Sequence, residues 1–282
     1  MWAQGDVLVP LDGSSLAEHA LPLAALVSKV VGRPARLMYV VNQGEGFWTE
    51  QDVERARELF ADYAERVMRQ YGLHGTVSVE YGSPAARILA ASEGAAAVVI
   101  ATHGRGGLRA NLIGSVADKV IRGARVPTFV APGVSFRPPD SPGTRPILVA
   151  LDGSEHGERA LTYARNIAQS LGAPIALLSA YRVPPPALAE FAYYPAEVAP
   201  MLETSLRDYL EGIARPGETQ HIVMGEAAYA IVETARALDA GLIVMGATGK
   251  GLAGRLFLGS TTDRVVHSID RTLLIVPPPA SA

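Results

Sequence analysis

The chain repeats itself, and that property limits its possible folds more than any other. Val7-Leu8-Val9-Pro10-Leu11-Asp12-Gly13-Ser14 returns 140 positions later as Ile147-Leu148-Val149-Ala150-Leu151-Asp152-Gly153-Ser154. Gly104-Arg105-Gly106-Gly107-Leu108, closing at Gly114-Ser115, returns 145 positions later as Gly249-Lys250-Gly251-Leu252, closing at Gly259-Ser260. The offset grows by five between the two motifs, so the second copy carries a five-residue insertion there. Solenoid units run only ~20–50 residues, so a period this long marks a duplicated domain. The expected organisation is a first domain at 1–134, a stiff linker at 135–145 with Pro138, Pro139, Pro142 and Gly143, and a second domain at 146–282.

Within each copy, short apolar runs alternate with helical stretches. The first copy predicts strands at 7–11, 35–41, 76–81, 96–101 and 128–131, and helices at 17–31, 50–71, 85–92 and from Ser115. The second predicts strands at 147–151, 175–181, 219–224, 242–246 and 273–276, and helices at 159–171, 201–213, 228–238 and from Ser260. The copies diverge at 42–49 and at a proline-rich insert, 183–200. Strands that are apolar throughout are buried on both faces, as in a parallel sheet covered by helices. Strict alternation of strand and helix points the same way, with right-handed crossovers. The expected fold is α/β: two Rossmann-like domains, each an open, parallel sheet of about five strands covered by helices. Such sheets bind ligands beyond the carboxyl ends of the strands, where Asp12, Ala101, Asp152 and Gly246 fall.

Composition narrows the function. With 49% hydrophobic and 19% charged residues, each copy can bury a core of its own. A net charge of −3 gives no electrostatic reason to expect nucleic acid or an anionic membrane as a partner. The absence of cysteine excludes disulfides, thiolate catalysis and cysteine-held zinc. The residues up to Asp6 are neither basic nor an apolar signal core, and no apolar run approaches ~18 residues. A cytoplasmic location is expected.

The glycine loop carries the chemistry. Gly246 ends a strand without the Cβ that would hold a ligand away from the backbone, and Gly249 opens the loop. Gly259-Ser260 stands where a helix begins, so its free N–H groups and the hydroxyl suit an anion. Ser115 and Ser260 also read as N-caps, with Asp118 and Asp263 as capping-box partners; the two readings are compatible. Asp12 and Asp152 are either turn-formers or ligand contacts. His103 faces Thr248 across the repeat and reads as structural. Gly249-Lys250-Gly251-Leu252-Ala253-Gly254 fits the dinucleotide pattern G-x-G-x-x-G. It follows the fourth strand rather than the first, however, and Arg109 and Ala110 break it in the other copy, so it does not identify a nicotinamide site. Lys250 is followed by Gly251, which excludes a Walker-type phosphate loop, and no G-x-S-x-G elbow is present.

These motifs resemble those of the universal stress proteins in their tandem, two-domain form, over about 5–134 and 145–279. The family signature is an aspartate after the first strand and Gly-x2-Gly-x9-Gly-[Ser/Thr] after the fourth. The second copy carries it complete as Asp152, Gly246, Gly249, Gly259 and Ser260; the first has Asp12, Gly104, Gly114 and Ser115, with Ala101 in place of the first glycine. The resemblance implies ATP, or AMP or ADP, in each copy, with Asp12 and Asp152 on the adenosine half. It sets Pro10, Leu11 and Val40, and likewise Ala150, Leu151 and Ala180, around adenine. Val116 and Thr261 accompany the serines at the helix starts, and Arg105 and Lys250 either reach phosphate or stay solvated. The Ala101 methyl is expected to point at the ribose and to leave that site equal to the other or up to ~100-fold weaker. The resemblance further implies a stress-response regulator, its halves packed through their last strands as an intramolecular pseudo-dimer, able to pair again as a homodimer or to meet an unidentified protein. No general base, paired carboxylates or arginine finger is evident, so turnover is not expected. The alternatives are a slow ATP hydrolase with Mg²⁺ on Asp12 or Asp152, and a nucleotide-independent interaction protein using residues 191–195.

Overall fold

Five strands and four helices alternate in each half of the computed structural model, which describes residues 2–46, 48–102, 113–132, 145–183, 198–249, 258–268 and 270–279. His103, Gly104, Arg105, Lys250, residues 191–195 and nearly all of the expected linker lie outside the described residues. The first half runs β1 (Val7–Leu11), α1 (Ala20–Val31), β2 (Ala35–Asn42), α2 (Glu50–Tyr71), β3 (Gly75–Gly82), α3 (Pro84–Ser92), β4 (Ala97–Ala101), α4 (Ser115–Gly123) and β5 (Thr128–Ala131). The second runs β6 (Ile147–Ala150), α5 (Glu155–Leu171), β7 (Ile175–Tyr181), α6 (Val198–Ile213), β8 (Thr219–Met224), α7 (Ala227–Ala237), β9 (Leu242–Gly246), α8 (Ser260–Ser268) and β10 (Thr272–Val276).

Local chemistry explains where helices begin. Thr49 and Asp52 form a reciprocal capping box at the start of α2, the Asp52 carboxylate accepting from the Thr49 amide at 2.8 Å and the Thr49 hydroxyl from the Asp52 amide at 3.2 Å. Ser154 accepts from the Gly157 amide at 3.2 Å, so α5 starts at Glu155, four residues ahead of the expected start at 159. Ser14 caps the equivalent turn by accepting from Ala17 at 3.1 Å. There Ala17–His19 forms a 3-10 turn and α1 begins only at Ala20.

The strand order is β3-β2-β1-β4-β5 in the first half and, by the same rule, β8-β7-β6-β9-β10 in the second. Both are doubly wound, with their switch points between β1 and β4 and between β6 and β9. β5 and β10 pair antiparallel, Leu274 opposite Phe129 and Leu273 opposite Val130, which joins the halves into a single ten-stranded sheet. Alternate strand residues feed opposite cores. Val7, Val9 and Leu274 pack with α1, α2, α5 and α6 residues such as Leu21, Phe60, Leu161 and Leu210. Leu8 and Leu273 pack with α3, α4, α7 and α8 residues such as Ile88, Val120, Ile231 and Val265. Trp2 reinforces the joint: it stacks on Phe129, meets the Tyr163 ring edge-on at 4.8 Å, and donates its indole N–H to Asn166 Oδ1 at 2.8 Å. Among the described residues, no helix is long and apolar enough to cross a membrane.

A cleft at the strand ends of the second half

The chain leaves β6 through a tight turn. Asp152 Oδ1 accepts from the Ser154 amide at 3.0 Å and from the Ser154 hydroxyl at 2.5 Å. Gly153 takes φ 73° inside that turn, a left-handed conformation that a side chain would strain. Asp12, Gly13 and Ser14 repeat it, with distances of 3.0 and 2.6 Å and φ 79° at Gly13. The turn ends where α5 begins, so the helix start and the carboxylate face the same side of the sheet.

The loop after β9 folds back over this turn. The Gly259 amide donates to the Ala247 carbonyl at 2.8 Å, and the Thr262 hydroxyl donates to the Gly246 carbonyl at 2.9 Å. Thr248, only 4% exposed, pairs its hydroxyl with His156 Nδ1 at 3.1 Å and so ties the loop to the first turn of α5. Glu226 caps α7 by accepting from the Tyr229 amide at 2.9 Å, and Arg264 on α8 donates to the same carboxylate at 3.1 Å. Burial opposes the Glu226 charge, but the Tyr229 and Ala228 amides and Arg264 outweigh it and hold the carboxyl below its ordinary range. α7 and α8 are thus fastened side by side with both N-termini at the strand ends.

Together these elements enclose a cleft of about 300 Å³. Every second-copy position expected from the sequence and described here lines it: Ala150, Leu151, Asp152, Ala180, Gly246, Gly249, Gly259, Ser260 and Thr261. Sequence reasoning missed Leu178, Ala227, Ile231, Met245 and Thr262, which also line it. Ala227 and Ile231 come from α7, whose sequence carries no glycine or acid at a telling spacing; only packing brings them in. In the first half Pro10 and Leu11 end β1, Val40 lies on β2, Ala101 ends β4, and Gly114, Ser115 and Val116 form the start of α4. Beneath the Asp152 turn, burial and then the charges of Glu158 and Asp152 push the Tyr209 hydroxyl up to about 12. Its first-half counterpart Tyr63 donates to Glu18 at 2.9 Å.

Two expectations need correcting. Ser115 is the first residue of α4 and Gly114 is its N-cap, without a side-chain cap bond, so the serine hydroxyl does not close a capping box. Asp118 and Asp263 instead turn their carboxylates to Arg122. Gly246 and Gly249 are constrained by neighbouring protein atoms rather than by open space for a ligand. A Cβ on Gly246 would sit 3.2 Å from the Thr248 carbonyl oxygen and 3.3 Å from the His156 carbonyl, so it points at the loop and the first turn of α5 rather than into a ribose site. In the first half, Ala101 is buried and belongs to the same core as Ala17, the first residue of the 3-10 turn that replaces the first α turn. Asp152 Oδ1 takes two hydrogen bonds from Ser154, while Oδ2 lies on the Gly249 side of the turn, where a Cβ added to that glycine would come within 2.5 Å of it.

That geometry gives the glycine asymmetry a test. Gly246→Ala is expected to cost about 1–3 kcal/mol by overpacking, because the contacts at 3.2–3.3 Å are with backbone that can give only slightly. It should also weaken any ligand held at the α5 start. Ala101→Gly should leave ligand binding in the first half unchanged or tighter. Thermal melts and titration calorimetry on both variants check this, and weaker first-half binding in Ala101→Gly would show that the methyl makes a useful contact.

Known proteins share this architecture. The profile of the universal stress protein family matches residues 5–132 and 143–277. A universal stress protein of Thermus aquaticus is 36% identical over 46% of this chain and 96% of its own length. One from Mycobacterium tuberculosis is 26% identical over 94% of each chain. Among solved structures, a universal stress protein from Archaeoglobus fulgidus superposes with a TM-score of 0.69 over 96% of this chain and 98% of its own, at 22% identity, which is a likeness of fold.

Proposed function

The chain belongs to the universal stress protein family, and from that premise we propose that it is a stress-response protein that binds an adenine nucleotide, ATP foremost, in the second-half cleft, as a regulator rather than a turnover enzyme. The observation that carries this reading is the convergence of Gly249, Gly259 and Ser260 with the starts of α5, α7 and α8 on one cleft. Ser154 and the Glu226 carboxylate already cap α5 and α7, so the start of α8 at Ser260 is the one whose N–H groups and positive dipole end suit phosphate. Ala150, Leu178, Ala180, Ile231 and Met245 supply an apolar wall for a flat base. Asp152 stands at the strand ends between the two regions, and its carboxylate repels phosphate but accepts from ribose hydroxyls. The volume sits at the small end of ligand clefts, the size of a mononucleotide rather than a dinucleotide. Mg²⁺ would enter with the triphosphate.

Adenine nucleotide is expected among the small molecules released from the purified protein by heat. Stripped protein is expected to bind ATP by titration calorimetry without steady-state phosphate release. No adenine compound in the extract and no binding heat up to about 1 mM ATP, an affinity weaker than roughly −4.1 kcal/mol, would refute the reading. Multiple turnovers that vanish in Asp152→Asn would replace it with a hydrolase.

A further inference from the structure

Arg122 lies on α4, in the half that does not contain the cleft, yet its guanidinium reaches the first turn of α8. Nε donates to Asp118 Oδ1 at 2.9 Å, and a terminal nitrogen donates to Asp263 Oδ1. In the repeat, Asp118 corresponds to Asp263, while Arg122 corresponds to His267. His267 Nδ1 lies 2.8 Å from its own-turn Asp263 carbonyl oxygen and 3.7 Å from Asp263 Oδ1. The quartet therefore has two carboxylates but a single permanent cation, and that cation comes from the first half.

Asp263 belongs to the same turn as the cleft residue Ser260, and its amide donates to the Gly259 carbonyl at 2.9 Å. Its Cα stands three residues, about 4.5 Å of rise, from Ser260, within the same first turn as the N–H groups that face the cleft. A bare carboxylate there partly cancels the positive end of the helix and repels an incoming phosphate.

We propose that Arg122 is a positioning residue for the second-half site: by holding and neutralising Asp263 across the joint, it preserves the attraction of the α8 start for nucleotide phosphates. The first half thus completes the anion site of the second. This rests on the nucleotide reading above. Asp118 and Asp263 bring oxygens within 4.8 Å of each other, so loss of Arg122 leaves two like charges facing across the joint as well as one beside the phosphates. Because Arg122 also binds Asp118 in the first turn of α4, ligand binding in the first half would be affected in the same direction.

The test titrates ATP and adenosine into wild type, Arg122→Ala, Arg122→Lys and the double variant Arg122→Ala/Asp263→Asn. Arg122→Ala is expected to weaken ATP about 3–10-fold at low salt, less at high salt, where charges about 8 Å apart are screened. Adenosine, which carries no phosphate, should change by less than about twofold. Arg122→Lys and the double variant should recover most of the ATP affinity. Unchanged ATP affinity in Arg122→Ala, an equal loss for adenosine, or no recovery on adding Asp263→Asn would overturn the proposal and leave Arg122 a structural clasp. If Arg122→Ala does not fold, Asp263→Asn alone decides: ATP binding as tight as wild type or tighter supports the proposal, and weaker binding overturns it. Wild type that binds neither ATP nor adenosine would refute the nucleotide reading itself, a result distinct from all of these.

Discussion

Gly249→Ala is expected to weaken ATP binding in the second half by about 100-fold or more, about 2.8 kcal/mol at 1.4 kcal/mol per tenfold. One methyl has this effect because of what it meets. The added Cβ would lie 2.5 Å from Asp152 Oδ2, far inside van der Waals contact. That carboxylate is not a flexible end that can swing aside, since Ser154 holds Oδ1 with two hydrogen bonds. Either the aspartate leaves its place or the loop lifts away from the strand ends, and each disrupts the cleft. The three glycines should rank by their clearances. Gly246→Ala is milder, with nearest contacts of 3.2–3.3 Å, and Gly259→Ala is the mildest, with nearest contacts of 3.4 Å. Calorimetry on the three variants, with thermal melts to verify folding, checks the order. A Gly249→Ala protein that binds ATP within about threefold of wild type, 0.7 kcal/mol or less, would mean that the ligand does not depend on this loop.

Leu274→Ala is expected to cost about 2–5 kcal/mol of stability and to lower the melting temperature of both halves together. Leu274 has no exposed surface and sits on β10 opposite Phe129 on β5, at the centre of the joint. Its removal leaves a cavity lined by residues from both halves. The joint cannot simply open in response, because each of β5 and β10 would then expose an apolar strand edge. Differential scanning calorimetry resolves the outcome. Two separate transitions, with only the second-half one shifted, would show that the halves are energetically independent despite their shared sheet.

Much of the fold was legible because it is written in local pattern. Runs such as Val7 to Leu11 and Leu242 to Gly246 are apolar without alternation, which only a strand buried on both faces sustains. α2 was read at 50–71 from its charged helical stretch, and the structure supplies the capping box of Thr49 and Asp52 that sets its start. At α5 a capping hydroxyl moved the boundary: Ser154 starts the helix before any apolar periodicity appears. In the first half, Ala17–His19 takes a 3-10 turn where an α-helix is expected, and Ala101 and Ala17 belong to the same buried core.

The sequence by itself determined the duplicated α/β units, the alternation of their elements, and the positions of aspartate, glycine and serine at strand ends and helix starts. Each of these depends on neighbours within one turn or one strand, where spacing along the chain is spacing in space. Tertiary structure alone decided which elements meet. It gave the expected pairing of the last strands, β5 with β10, its antiparallel register in one continuous sheet, and it brought α7 to the cleft, carrying Ala227 and Ile231. It set Gly249 against the Asp152 carboxylate and Arg122 against Asp263, pairs 97 and 141 residues apart in the chain. Contacts at such separations leave no periodic trace, because they follow from the twist and order of the strands rather than from the residues between them.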